Sequence, residues 1–276
     1  MREKKKLIVI AALAAIASAI FILVYFAEVY QTKKQYEEIQ EEILRKAHDA
    51  ERSAKQEAVR KSVEEKLLAE EEARREQEER QKEKERRWAE LENQNRDIYA
   101  WISIPDLEIE YPVLQNEKDD FYLNHNADKE WEAAGSIYSN SCNKKDFSDV
   151  NTVLYGHNMK NGTMFGKLSD IGETQLKENG VVYIYTRDKK LTYLIYAAVE
   201  FSDVYLPDTY SVRSQKGLAS FVKAVDKSSS YFRREGMEIN EEDKVLTLST
   251  CVGGNGTKRC LVVARLDKDE PYVSCW

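Results

Sequence analysis

All eleven glycines and all four prolines of this chain lie beyond residue 96. The stretch before them, residues 31–96, is dominated by Glu, Lys, Arg, Gln and Ala. A segment without breakers, and with so few large apolar side chains, cannot turn back on itself and bury a core. It reads as one extended helical spacer. Globular structure is therefore confined to roughly 180 residues from about Asp97 onward, long enough for one compact domain with a real core. Charge divides at the same place. Residues 1–96 carry 21 Lys+Arg and 21 Asp+Glu, so the formal net charge of −7 falls on residues 97–276. An acidic domain with no basic stripe argues against a nucleic-acid partner.

Ahead of the spacer, Leu7 to Ala27 is an unbroken apolar run of 21 residues in which only Ser18 and Tyr25 carry polar atoms. A helix needs about 20 such residues to cross the hydrocarbon core of a bilayer. Arg2, Lys4, Lys5 and Lys6 precede the run and Glu28 follows it. The basic flank predicts a single-pass membrane anchor with its N-terminus in the cytoplasm and the rest outside the cell. Ala17-Ser18-Ala19 offers the small-x-small pattern of a cleaved signal peptide, but the apolar run continues for eight residues past it, which favours the anchor. The expected organisation is a cytoplasmic tail at 1–6, an anchor at 7–27, a charged helical spacer at 28–92 and a globular domain at 93–276.

Within the spacer, Glu70→Arg74, Glu71→Arg75, Glu76→Arg80, Glu78→Lys82 and Glu83→Arg87 place an acid four residues before a base. Each such pair adds a few tenths of a kcal/mol to an exposed helix. The seam Ile39, Ile43, Ala47, Ala50, Ala54 is mostly alanine, and between Glu70 and Arg87 the only apolar residue is Ala73. A coiled coil needs sustained apolar a and d positions, so a solvated single helix is expected. Fully helical, residues 31–95 would reach roughly 100 Å at about 1.5 Å per residue.

Beyond Trp88, Leu91, Ile98 and Trp101 the texture becomes that of strands. Ile102–Ile104 and Ile109–Val113 alternate apolar and polar residues. Val153–Tyr155, Val181–Tyr185, Leu191–Phe201, Val245–Leu248 and Leu261–Val263 are rich in aliphatic and aromatic strand formers. Asn161-Gly162 signals a turn. Leu218, Phe221, Val222 and Val225 fall on one face of a helix. The fold class expected is mostly β and mostly antiparallel, a closed or nearly closed barrel with a few helices.

The four cysteines are Cys142, Cys251, Cys260 and Cys275. None forms a CxxC pair and the three histidines are scattered, so zinc-ligand spacing is absent. The strand from Val245 ends in Cys251, followed by the flexible Val252-Gly-Gly-Asn-Gly256. The next strand opens with Arg259-Cys260, whose side chains must point to opposite faces. If Arg259 faces a cleft, Cys260 does not. The strand from Asn151 likewise ends in Gly156-His157. A thiol needs a base or cation nearby to become a thiolate at neutral pH, and acyl transfer needs a donor for the developing oxyanion. Cys251, His157 and Arg259 are the candidate set. His125 follows no strand end of that kind, and His48 lies in the spacer. Cys275 reads as a packed or free tail thiol.

Thr247-Leu-Ser-Thr-Cys251 followed by Arg259 resembles the active-site signature of sortases. Leu154-Tyr-Gly-His157-Asn158-Met159, with Met164–Leu168 behind it, resembles the histidine segment of their class B branch. Trp101–Pro105, Ile109–Gln115 and Gly135–Tyr138 resemble other segments of that branch, and the helix near Leu218–Val225 resembles the one class B inserts between its sixth and seventh strands. The resemblance covers about residues 93 to 268. It implies a closed eight-stranded barrel and cleavage of a C-terminal sorting signal of the Asn-Pro-x-Thr type after Thr. Cys251 would be the nucleophile, His157 the acid and base, and Arg259 the cation at the oxyanion. Ser249, Thr250 and Asn158 are expected to bind substrate. The partners implied are sorting-signal-bearing surface proteins and a peptidoglycan precursor amine; no cofactor or metal is implied. One alternative is a class B enzyme that polymerises pilins, with a pilin Lys as acceptor. Another is a non-catalytic membrane-tethered scaffold.

Overall fold

The computed structural model describes residues 2–172, 176, 180–252 and 255–272. Gly253 and Gly254, in the loop expected to be flexible, and the tail residues Cys275 and Trp276 lie outside the described residues. The chain forms two compact units, Met1–Arg74 and Arg75–Trp276.

The first unit is helical throughout, the beginning of α1 (Arg2–Gln94). By length and composition this helix can cross a membrane. Ser18, a polar residue within the apolar run, donates its hydroxyl to the Ala14 carbonyl at 2.9 Å. Its hydroxyl therefore needs no partner from the surroundings. Between residues 28 and 74 every side chain is exposed, as a solvated charged helix requires.

The second unit opens with the last turns of α1, and these are not a plain spacer. Lys84 is 4% exposed and Trp88 5%. The Lys84 ammonium donates to the Tyr272 carbonyl at 2.9 Å, and Arg187 reaches Glu85 at 2.8 Å and Glu92 at 3.4 Å. One large aromatic and the aliphatic stem of a lysine suffice to bury one face of a helix. Periodicity counted over apolar residues alone does not register such a stripe.

Among the described residues nine strands follow: β1 (Ile98–Ile104), β2 (Ile109–Leu114), β3 (Ile137–Tyr138), β4 (Asn151–Tyr155), β5 (Val181–Tyr185), β6 (Lys189–Ser202), β7 (Ser230–Arg233), β8 (Val245–Val252) and β9 (Asn255–Pro271). They pair in the order β5-β1-β2-β3-β4-β8-β9-β6-β7, and β5 also pairs with β6. That last pairing closes eight strands into a barrel and leaves β7 as an appendage on β6. Between β6 and β7 lie α2 (Leu206–Tyr210) and α3 (Gln215–Lys227). The Ser214 hydroxyl caps α3 by accepting from Gly217 N at 3.0 Å. Two pairings, β2–β3 and β4–β8, are parallel, which alternation in the sequence does not disclose.

The two-residue period sorts the side chains into two packing layers. Leu246 and Leu248 of β8, and Cys260, Val262 and Ala264 of β9, fill the barrel interior with Ile102, Ile104 and Ile184. Val245, Leu261, Val263 and Val153 face the other way, against Leu218, Phe221 and Val225 of α3. The outward face of β4, β8 and β9 is thus covered by α3 at one end and open at the other. That open end carries the candidate site.

Candidate active site

β4 and β8 run parallel with Tyr155 opposite Ser249. Both strands therefore point their C-terminal ends the same way, and two residues beyond that pair the chain reaches His157 on one side and Cys251 on the other. β9 runs antiparallel to β8 with Arg259 opposite Cys251. Residues 157, 251 and 259 share the outward parity of Val153, Val245 and Val263, so the three side chains emerge on one face. His157, Cys251 and Arg259 together line a cleft of about 220 Å³.

Arg259 Nη1 donates to Cys251 Sγ at 2.8 Å, and its Nε donates to Asp203 Oδ1 at 2.7 Å. Burial works against the guanidinium charge, but the bond to Asp203 and the adjacent Cys251 sulfur outweigh it and hold Arg259 above its ordinary value. His157 is half-buried, and its Nε2 lies 2.8 Å from the Leu123 carbonyl oxygen. A carbonyl only accepts, so Nε2 carries the proton of the neutral ring and Nδ1 is the basic nitrogen. The carbonyl of Leu123 reaches this position beside a glycine. Gly135 has φ +57, and a Cβ there would sit 2.4 Å from the Leu123 oxygen.

The neighbours of Cys251 divide into two kinds. Ser249 lines the cleft. Thr250 is fully buried, and its hydroxyl donates to the Gly156 carbonyl at 2.7 Å, lashing the strand that carries Cys251 to the residue before His157. Asn158 Nδ2 donates to the Cys251 carbonyl and to Ser169 Oγ, both at 2.8 Å. Thr250 and Asn158 thus brace the site through the backbone. Cys260 is fully buried in the barrel, its thiol directed to the Leu168 carbonyl at 3.5 Å. His125 stacks on Phe121 with ring centroids 4.0 Å apart, and its Nδ1 bonds the Phe121 carbonyl at 2.7 Å. Neither Cys260 nor His125 lines the cleft.

The remaining wall combines apolar and polar groups. Leu123, Val204 and Tyr205 line it and are 41%, 37% and 41% exposed. Asp120 accepts from Tyr138 Oη at 3.0 Å. Burial raises Tyr138 and Tyr155 well above the ordinary phenol range and pushes Tyr205 up to about 12, so all three stay neutral at physiological pH. Among the described residues, Asn140 Oδ1 and Tyr155 Oη, both at this cleft, are buried without a hydrogen-bond partner. Asp203, bonded to Arg259, and the Leu123 carbonyl, bonded to His157, are site contacts that sequence reasoning misses. Asp203 sits in an unremarkable Ser-Asp-Val stretch, and a backbone carbonyl has no sequence signature at all.

A sequence model of the family described as Sortase domain matches residues 102–267, from within β1 to within β9. The chain is 33% identical over 168 residues to Sortase B of Listeria monocytogenes; the match covers 59% of this chain and 65% of that protein, so it spans just under two thirds of that relative's length. It is 27% identical over 183 residues to Sortase B of Staphylococcus aureus, covering 64% of this chain and 73% of that one. The solved structure of Clostridium perfringens sortase B superposes with a TM-score of 0.57 at 32% identity, over 65% of this chain and 99% of that chain. Since the matched stretch takes in the closed barrel and the strand ends that meet at the cleft, this chain belongs to the sortase family, in its class B branch.

Proposed function

We propose that the chain is a membrane-anchored cysteine transpeptidase that cleaves a C-terminal sorting signal of the Asn-Pro-x-Thr type after Thr and transfers the protein to a cell-wall amine. The observation that carries this reading is the Arg259–Cys251 contact inside a cleft that His157 also lines. A guanidinium donor aimed at sulfur favours the thiolate, which is the nucleophilic form.

The chemistry then follows in two halves. The Cys251 thiol gives its proton to His157 Nδ1, and the thiolate attacks the Thr carbonyl carbon. The oxyanion that develops is stabilised by the Arg259 guanidinium. The C–N bond breaks, the departing amine takes the proton from His157, and a thioester remains on Cys251. An incoming amine attacks that thioester and gives a proton to His157; the C–S bond breaks and the thiolate returns. The exposed Leu123, Val204 and Tyr205 supply apolar grip for an extended peptide, while Asn140 Oδ1, Tyr155 Oη and Ser249 supply hydrogen-bonding groups. One solved relative is a Staphylococcus aureus sortase B–substrate complex, with a TM-score of 0.57 at 27% identity. The basic residues before the apolar run support an N-terminus in the cytoplasm and a barrel outside.

The test uses the full chain in detergent micelles with a fluorogenic Asn-Pro-x-Thr peptide, with and without an added amine. Cleavage is expected from the natural chain, with an amine adduct when amine is present. Cys251→Ala and His157→Ala should each lower kcat/KM by at least about a thousandfold. Undiminished cleavage by Cys251→Ala would remove the nucleophile and the reading with it.

A further inference from the structure

Arg259 serves the sulfur with one nitrogen and is itself held by another. Its guanidinium is a rigid plane, so the directions of its N–H bonds are fixed relative to one another. Anchoring Nε–H on Asp203 Oδ1 at 2.7 Å thereby fixes where Nη1 points, which is at Cys251 Sγ 2.8 Å away. Arg259 would otherwise be a long, partly solvated side chain, free to leave that geometry.

Asp203 is well placed to act as an anchor. It lies two residues past Phe201, which pairs with Arg259 in the β6–β9 ladder. Its own backbone N–H donates to the Thr257 carbonyl of β9 at 3.2 Å. The guanidinium projects from β9 and the carboxylate from the residue just past the end of β6, two segments held in one register, and Asp203 itself lines the cleft. The pair is partly exposed, with side chains 32% exposed for Arg259 and 40% for Asp203. Ion pairs in that setting add little to folding stability, so a purely structural role does not account for the arrangement.

We infer that Asp203 is the positioning residue of the active-site arginine: it orients Arg259 so that the guanidinium meets the sulfur and the oxyanion formed on the substrate. This rests on the proposed roles of Cys251 and Arg259. It gives Asp203 no contact with the reacting atoms and makes its effect entirely dependent on Arg259.

The experiment compares the full chain in detergent micelles with Asp203→Asn, Asp203→Glu, Arg259→Ala and the double variant Asp203→Asn/Arg259→Ala. Two readouts are taken: steady-state cleavage of the Asn-Pro-x-Thr peptide, and the rate of Cys251 alkylation by iodoacetamide. Asp203→Asn should lower kcat by about ten- to a hundredfold while leaving KM nearly unchanged. It should also slow alkylation. Asp203→Glu, which restores the carboxylate, should recover most of both losses. In the Arg259→Ala background, Asp203→Asn should have no further effect, since the arginine it positions is gone. The inference is overturned if Asp203→Asn matches the natural chain in both readouts. It is also overturned if Asp203→Asn raises KM alone, or costs as much without Arg259 as with it. Failure of the broader reading looks different: the peptide stays intact in every variant while the alkylation rates still divide along the Asp203–Arg259 pair.

Discussion

Thr250 sits next to Cys251 yet turns its side chain away from the cleft, fully buried, to donate to the Gly156 carbonyl. At this position a hydroxyl is required for what it does to the backbone. It joins the end of β8 to the end of β4, the two segments whose alignment sets Cys251 against His157. Thr250→Val keeps the shape and removes the donor, leaving the partly buried Gly156 carbonyl without that bond. We expect a loss of about 1–3 kcal/mol in stability, readable by thermal or urea denaturation. A fall in kcat/KM larger than that in Ser220→Ala, a surface hydroxyl on α3, should accompany it. Asn158 acts in the same way from the other side, through the Cys251 carbonyl.

At the scale of elements, the junction between α1 and β1 is pinned by Asp97. Its carboxylate accepts from Tyr122 Oη at 2.7 Å and Asn116 Nδ2 at 2.8 Å, and pairs with Lys129 at 3.1 Å. Burial alone would raise this carboxyl, but the bonds from Tyr122, Asn116 and Lys129 outweigh it and hold it below the ordinary range. A carboxyl depressed in the folded state stabilises the fold above its unfolded value of about 3.9. That contribution is lost as pH falls through the lower folded value. Asp97→Asn should therefore melt below the natural chain at pH 7, and the gap should narrow steadily from about pH 4 downward. A gap that stays constant with pH would mean that shape rather than charge holds this junction. The ion pair is partly exposed, so the effect should be modest.

For the whole molecule, the second compact unit begins at Arg75, inside a helix that the sequence presents as uninterrupted spacer. Lys84 and Trp88 belong to the core of that unit. A chain starting at Arg75 should keep the melting temperature and peptide-cleavage rate of the full chain's barrel. One starting at Asp97 should melt lower, since burial of Trp88 and the Lys84–Tyr272 bond are both lost. Equal melting temperatures for the two truncations would show that the last turns of α1 contribute nothing to the fold.

The features of this protein that depend on local pattern are written in the order of its amino acids. The apolar run, the breaker-free helix, most of the strands and the α3 face follow from periodicity and from the placement of glycine and proline. The opposite facing of Arg259 and Cys260 follows from the two-residue period of a strand. The motif around Cys251, His157 and Arg259 was legible because its residue types recur in a known order. Features that depend on pairing between distant segments emerge with the folded chain. Parallel alignment of β4 with β8 makes residues 157 and 251 neighbours, and closure of β5 on β6 turns a sheet into a barrel. The Leu123 carbonyl against His157 and Asp203 against Arg259 are contacts between segments far apart in the chain. One is made by a backbone atom and the other by a common surface acid, so neither leaves a mark in the local sequence. They exist because register, a property of two strands together, puts those atoms within reach.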